Sequence, residues 1–174
     1  MYQPMNNQEK NSYVRKQILC ALLDMMREQD YNSIPVNALT KQAGVGRASF
    51  YRNFTSKEDV LRQEANRLTN EWAEEWRLLE PTAPNEFLVL LLNFYKKHSE
   101  FYMLLYQAGL SEIVLDTILK SAEITPELPN AVAYLKSAMA YMVYGWVIEW
   151  IRRGMQESGT ELAKMITQMQ NGIH

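Results

Sequence analysis

Residues 47 to 52 combine side-chain types that can contact nucleic acid, and they do so at helical spacing. With residues placed about 100° apart and Phe50 pointing inward, Phe54 and Gly46 lie within about 40° of it. The opposite side then carries Ala48, Ser49, Tyr51 and Arg52, with Arg47 on its flank. Small residues permit close backbone approach, arginines bind guanine or phosphate, and a tyrosine hydroxyl donates to phosphate. The pattern predicts an outward face suited to a major groove.

A short turn, Gly44-Val45-Gly46, precedes this face and follows another helical pattern. Helix, tight glycine-bearing turn and second helix form the helix-turn-helix arrangement. The local charge also fits a surface that faces nucleic acid, because no acidic residue occurs between Asp30 and Glu58. The same window holds four cations, namely Lys41, Arg47, Arg52 and Lys57. A surface that faces phosphate requires this local absence of negative charge more than it requires a high overall pI.

The run Ala43-Gly44-Val45, followed by Ser49-Phe50-Tyr51 and then Phe54-Thr55-Ser56-Lys57-Glu58-Asp59, resembles the DNA-binding domain of the TetR family of bacterial regulators. The similarity extends over residues 12–62. It implies a helix-turn-helix head, homodimerisation and a phosphate contact by Lys57. A lysine in the first turn of a helix opposes the helix dipole, which makes sense if lysine and helix terminus together hold phosphate. Gly46 lies at a position where serine is common in that family, so we expect a weakly capped recognition helix.

Composition is that of an ordinary globular protein, with 174 residues, 47% hydrophobic and 22% charged. The polar start indicates no signal peptide, and uncharged apolar runs are too short for a bilayer, so we expect a cytoplasmic protein with no membrane association. The single cysteine, Cys20, is expected to be buried. The two histidines lack metal-ligand spacing, and no phosphate loop or nucleophile elbow occurs. We therefore expect no metal, no cofactor and no catalytic residues.

Hydrophobic periodicity predicts an all-α fold. Residues 1–11 are expected to form a flexible arm, followed by helices near 12–29, 36–43, the recognition helix, and 56–80, where Ser56 and Asp59 have capping-box spacing. Further helices are expected near 85–98, 100–107, 110–122, 127–154 and 160–171. The chain thus divides into an N-terminal three-helix DNA-binding domain, 1–62, joined by a long helix to a C-terminal ligand-binding and dimerisation bundle, 63–174.

Aromatic residues concentrate in the C-terminal part, where thirteen of nineteen lie after residue 62. Tyrosine and tryptophan offer apolar area with a polar tip, as a pocket for a small molecule of mixed polarity requires. The alternative is that these side chains are core. The candidate ligand-binding residues, taken with the resemblance, are Trp72, Trp76, Tyr102, Tyr106, Tyr141 and Tyr144.

The segment 131–151 is apolar on all sides, which requires cover on all sides. The last helix adds an apolar stripe, so we expect these two helices to pair with their symmetry mates in a four-helix interface. The candidate interface residues are Val147, Ile151, Leu162, Met165, Ile166 and Met169. Glu149 is expected at the rim, paired with Arg152 or Arg153.

These observations predict a DNA-binding transcriptional regulator that binds a palindromic operator as a homodimer. The resemblance to the TetR family implies that it is a repressor and that a small-molecule effector releases it from the operator. Its partners would be double-stranded operator DNA, a second copy of itself and the effector. Arg47, Ala48, Ser49 and Arg52 would face bases, while Tyr51, Lys57 and Asn37 would hold phosphate. Two alternatives stay open. One is a TetR-like regulator, including an activator, that a protein partner controls; the other is an all-α enzyme or carrier with a vestigial DNA-binding head.

Overall fold

The computed structural model describes residues 6–79 and 84–171, and these residues form α-helices with one short 3-10 turn. The helices are α1 (Asn7–Glu28), α2 (Val36–Gln42), α3 (Arg47–Asn53), α4 (Lys57–Leu79), α5 (Pro84–Lys97), α6 (Ser99–Gln107), α7 (Glu112–Ser121), α8 (Asn130–Arg152) and α9 (Gly159–Asn171). The 3-10 turn is Tyr31–Ser33. The all-α prediction is confirmed, and the predicted and observed bounds of α2 and of α4 to α9 differ by three residues at most.

Two compact units divide the chain, Met1–Glu64 and Ala65–His174, with the boundary inside α4. In the first unit α1 packs against α2 and α3. Hydrophobic periodicity predicts that seven residues of this unit form a three-helix core. Val45 is half-buried, and the other six are buried, namely Ile18, Leu22, Ile34, Leu39, Phe50 and Phe54.

The expected flexible arm is wrong for residues 7–11, which belong to α1; residues 1–5 lie outside the described part. The helix begins early because Asn6 and Glu9 form a capping box. The Asn6 side chain accepts from the Glu9 amide at 2.9 Å, and Glu9 accepts from the Asn6 amide at 2.7 Å. Two orphan amides are thereby satisfied at the start of the helix.

Cys20 is exposed, which corrects the expectation of a buried thiol. It lies two positions, about 200°, from both Ile18 and Leu22, whose side chains are fully buried in the core of the first unit. The apolar stripe of α1 therefore does not include it.

Residues Ser56 and Asp59 begin α4 as their spacing predicted. The Asp59 amide donates to the Ser56 hydroxyl at 3.0 Å, and the Asp59 carboxylate accepts from the Thr55 amide at 2.8 Å. At α9, the Glu161 amide donates to the Ser158 hydroxyl at 3.1 Å, and the Glu161 carboxylate accepts from the Ser158 amide at 2.8 Å. Both helix starts are thus fixed by local side chains.

In the second unit α5 packs closely along α9, and α6 and α7 pack against α8. Gly159, the first residue of α9, is buried against α5. A Cβ atom at this position would lie 2.5 Å from the backbone nitrogen of Asn93 and 2.6 Å from the carbonyl carbon of Leu92. Only glycine fits this approach of α9 to the α5 backbone.

Helix α8 is buried only on one side, through Ala140, Val147, Trp150 and Ile151. Its exposed apolar side chains are Val132, Tyr134, Leu135, Met139, Tyr141 and Met142. Helix α8 has 23 residues and an 18-residue window with a mean hydropathy of 1.2, so it is long and apolar enough to span a bilayer by length and composition only. One such helix is weak evidence for a membrane span, because core helices of soluble proteins can be as long and as apolar. The uncharged runs themselves are short, as the sequence indicated.

Candidate nucleic-acid interface

The turn between α2 and α3 is built by main-chain hydrogen bonds around one left-handed glycine. Gly44 has φ of 65°, and the Val45 amide donates to the Thr40 carbonyl at 3.0 Å. Glycine adopts this conformation without the steric cost that a side chain imposes, which ends α2 and redirects the chain into α3. Thr40 is buried and its hydroxyl donates to the Asn37 carbonyl at 3.1 Å.

Helix α3 presents the face that its sequence predicted. Phe50 is fully buried, whereas Arg47, Ala48, Tyr51 and Arg52 are exposed. Tyr51 retains 52% of its accessible surface, and the Arg47 guanidinium lies 5.8 Å from the centroid of its ring. This cation–π arrangement orders two long side chains at the surface.

Gly46 is the N-cap of α3 and provides no side-chain cap. The weak capping expected from the sequence is therefore present. Ser49 is half-buried, and its carbonyl accepts from the Asn53 side chain at 2.8 Å. Asn37 is exposed on α2, so two successive helices offer polar side chains to solvent.

The ammonium group of Lys57 forms contacts within the DNA-binding unit itself. Its Nζ atom donates to the Tyr31 carbonyl at 2.7 Å and lies 4.4 Å from the centroid of the Tyr31 ring. Burial lowers the pKa of the Lys57 ammonium from its usual value, and the Asp30 carboxylate opposes that shift. Tyr31 thus holds the lysine at the start of α4.

One group of side chains could not be predicted from the sequence: Gln63 forms hydrogen bonds with Arg15, Asn53 and Asp59. Arg15 also lies 5.7 Å from the centroid of the Phe54 ring. Residues 15 and 63 are far apart in sequence, and no local pattern links them. Only the spacing of Asp59 and Gln63, four residues apart on one helix, is a signal that could have been found.

The predicted ligand-binding residues lie in different surroundings in the described part of the chain. Trp72 and Trp76 stack at 6.1 Å and line a cleft of about 170 Å³ with Glu75, Leu90, Asn93, Phe94 and Lys97. Tyr102 is buried in an aromatic core beside Tyr95, at 4.8 Å between ring centroids. Tyr106 and Tyr144 are half-buried, and Tyr141 is exposed.

The predicted interface residues fall into a buried or half-buried group and an exposed group. Val147, Ile151 and Ile166 are buried within the chain itself, and Leu162 is half-buried. Met165 and Met169 are exposed, at 48% and 69%. Glu149 pairs with both arginines as expected, accepting from Arg152 Nη2 at 2.7 Å and from Arg153 Nε at 2.6 Å.

The buried three-helix core, the glycine turn and the exposed cationic face of α3 define a helix-turn-helix DNA-binding protein. Two family models match the chain: "Bacterial regulatory proteins, tetR family" over residues 18–63, and "Transcriptional regulator C-terminal region" over residues 82–172. The chain therefore belongs to the TetR family of bacterial transcriptional regulators, as its sequence indicated. This is a non-enzymatic family, which argues against the enzyme alternative.

Solved structures share the fold along nearly the whole chain. Lin0861 from Listeria innocua has 16% identity and a TM-score of 0.80, with 99% of this chain and 97% of that chain covered. FadR from Bacillus subtilis, in complex with stearoyl-CoA, has 19% identity, a TM-score of 0.57 and coverage of 91% and 99%.

The dihydroxyacetone kinase operon activator DhaS has 20% identity, a TM-score of 0.56 and coverage of 90% and 93%. No curated protein gives a significant match. At these identities the structural matches establish the fold alone.

Proposed function

We propose that this regulator is a homodimeric repressor that binds a palindromic operator and is released from it by a small-molecule effector. The observation that carries the proposal is the exposed face of α3, where Arg47, Ala48, Tyr51 and Arg52 project over a fully buried Phe50. An α-helix with this outward composition fits a major groove. The protein would act in the bacterial cytoplasm, where its operator lies.

Within each half-site Arg47, Ala48, Ser49 and Arg52 face base edges. Tyr51 and Asn37 donate to phosphate, and Lys57 adds a positive charge at the N-terminus of α4. Arg47 supplies the bidentate donor that guanine prefers, whereas Ala48 permits close approach and contact with a thymine methyl group. Two heads related by a twofold axis require inverted half-sites about 34 Å or somewhat more apart.

The dimer surface is the exposed apolar face of α8 together with the exposed methionines of α9. Leu135 is 63% exposed and lies beside Met139 and Met142 on the helix surface, and Met165 and Met169 project from α9. Exposed apolar side chains on these two helices are costly in water, and a second copy would bury them. Val147, Ile151 and Ile166 are not part of this surface, because the same subunit already buries them. The exposed residues in the N-terminal half of α8 form the interface in their place.

The effector would bind in the second unit, where the cleft beside Trp72 and Trp76 would hold part of the effector molecule. Phe87 lies edge-on to both rings, at 5.5 and 4.9 Å, and Lys97 pairs with Glu75 at 3.7 Å. Drug-sized ligands occupy roughly 300 to 1,000 Å³, so a cleft of about 170 Å³ fits only a fragment of such a ligand. Because the related FadR binds stearoyl-CoA, a long-chain acyl-CoA is a sensible first probe.

A second candidate is control by a protein partner, including activation in place of repression. The exposed apolar residues of α8 extend over about 180° around the helix axis, with Tyr141 at one edge and Val132 at the other. This face is wider than a single helix of a partner covers. DhaS, which shares the fold, is an operon activator. Native mass spectrometry of the protein isolated from its host separates a homodimer from a complex with another protein.

The test begins with selection of duplexes from a random-sequence library by the purified protein. An inverted repeat is expected among the selected sequences. Arg47→Ala should weaken binding of the selected duplex by about ten- to a hundredfold. Arg77→Ala, an exposed arginine on α4, is the matched control and should bind as the wild type does. Failure to select any sequence at low salt would refute the proposal.

A further inference from the structure

A single glutamine connects three helices of the DNA-binding unit. Gln63 on α4 accepts a hydrogen bond through Oε1 from Arg15 Nη2 of α1 at 2.5 Å. Its Nε2 atom donates to the carbonyl oxygen of Asn53, the last residue of α3, at 3.3 Å. The same Nε2 atom lies 3.1 Å from both carboxylate oxygens of Asp59. The side chain is half-buried, which reduces competition from water.

The contact to the Asn53 carbonyl holds the last turn of α3, which also includes the main chain of Ser49. The Asn53 side-chain amide donates to the Ser49 carbonyl at 2.8 Å, and Ser49 is one of the proposed base-facing residues. Asp59, which accepts from Gln63, also accepts from the Thr55 amide at 2.8 Å and so holds the connection between α3 and α4. A chain of hydrogen bonds thus runs from α4 through Asn53 to Ser49.

Helix α3 needs such external support because it has only seven residues. Helices of this length are marginal in water, and their orientation depends on tertiary contacts. Phe50 and Phe54 anchor one side in the core, and a directed hydrogen bond adds a defined donor–acceptor geometry to that packing. Gln63 supplies a directed bond at the C-terminal end of α3.

We propose that Gln63 is a positioning residue, which sets the orientation of α3 in the major groove and so determines the sequence specificity of the regulator without touching DNA. A glutamine suits this position because its amide accepts from Arg15 and donates to Asn53 and Asp59 at once. Glutamate would accept but could not donate, and it would place a second carboxylate beside Asp59. This inference rests on the proposal that α3 reads bases.

The experiment compares Gln63→Glu and Gln63→Met with the wild type on two duplexes, one selected by the wild type from a random library and one scrambled in sequence. The measured quantity is the ratio of the two affinities, together with the thermal unfolding temperature. Asn70→Asp, which adds the same charge at an exposed position of α4, is the matched control for electrostatic repulsion of DNA.

Both Gln63 variants are expected to lower the ratio by about tenfold, with scrambled-duplex binding of Gln63→Met near that of the wild type. The Asn70→Asp control should weaken both duplexes equally and keep the ratio. The inference is overturned if both Gln63 variants keep the wild-type ratio, or if their affinities for both duplexes fall in parallel with the unfolding temperature. If the wild type itself selects no sequence, the proposed function fails first, so the two failures are distinguishable.

Discussion

The ammonium group of Lys57 is bound to Tyr31 twice, by a hydrogen bond of 2.7 Å to its carbonyl oxygen and by a contact of 4.4 Å to its ring centroid. The first residue of α4 is thereby tied to the 3-10 turn that precedes α2. A lysine held in this way has lost most of its rotamer freedom before DNA binds, so less entropy is lost when it meets a phosphate.

We expect Lys57→Met to weaken binding to all duplexes to a similar extent, since a phosphate contact carries no sequence information. The slope of log affinity against log salt should become shallower by about one for each protomer that loses the contact. Fluorescence anisotropy between about 50 and 200 mM salt measures this slope. Lys97→Met on α5 is the control and should leave it unchanged. An unaltered slope in Lys57→Met would show that this lysine serves only to anchor Tyr31.

Leu135→Glu should disrupt the dimer, because it places a charge in the middle of the proposed apolar interface of α8. Sedimentation velocity is expected to show a monomer for this variant and a dimer for the wild type. Leu78 on α4 is even more exposed, at 84%, and is not one of the proposed interface residues, so Leu78→Glu should remain dimeric. A dimeric Leu135→Glu protein would place the interface elsewhere.

Gly159→Ala should destabilise the second unit, because the added methyl group would overlap the α5 backbone at Asn93 and Leu92. Backbone atoms cannot move aside as a flexible side chain can, and overpacking of this kind costs about 1–3 kcal/mol. Calorimetry or thermal circular dichroism should show a lower unfolding temperature. Gly145→Ala is the matched control, since its Cβ would meet nothing within 4 Å, and alanine favours a helix. Equal unfolding temperatures for both variants would contradict the close approach of α9 to α5.

The Glu149 carboxylate has a pKa lowered to about 2 by hydrogen bonds from Arg152 and then Arg153. A folded-state pKa below the unfolded value means that the stabilisation is complete above about pH 4.5 and is lost as pH falls towards 2. Glu149→Gln should remove this dependence, so the two unfolding temperatures should converge between those pH values. The difference will be small, since the group is exposed to solvent. Parallel pH profiles would contradict the pairing.

Local signals were read correctly from the sequence because their partners lie within one helical turn. Ser56 and Asp59 are three residues apart, and Glu149 lies three and four residues from its arginines; each pairing is observed. The inward place of Phe50 followed from helical period alone, as did the exposed side of α3. Helix geometry was therefore sufficient to predict which side of α3 is exposed.

Features that depend on tertiary packing could not be read in the same way. Helix α8 is apolar on every side, so its sequence does not tell which side the subunit covers; Val147 and Ile151 are buried, while Leu135 and Met139 are not. The link between Arg15 and Gln63 spans 48 residues and leaves no local pattern. Cys20 was misplaced because a small apolar residue was assumed to share the stripe of its neighbours.

The exposed thiol of Cys20, on α1, is the one cysteine among the 174 residues. A maleimide fluorophore or nitroxide can therefore be attached at a single known position without engineering the chain. In a dimer, two such labels would give one distance between the DNA-binding heads. Pulsed electron paramagnetic resonance could then follow that spacing as duplex or acyl-CoA is added.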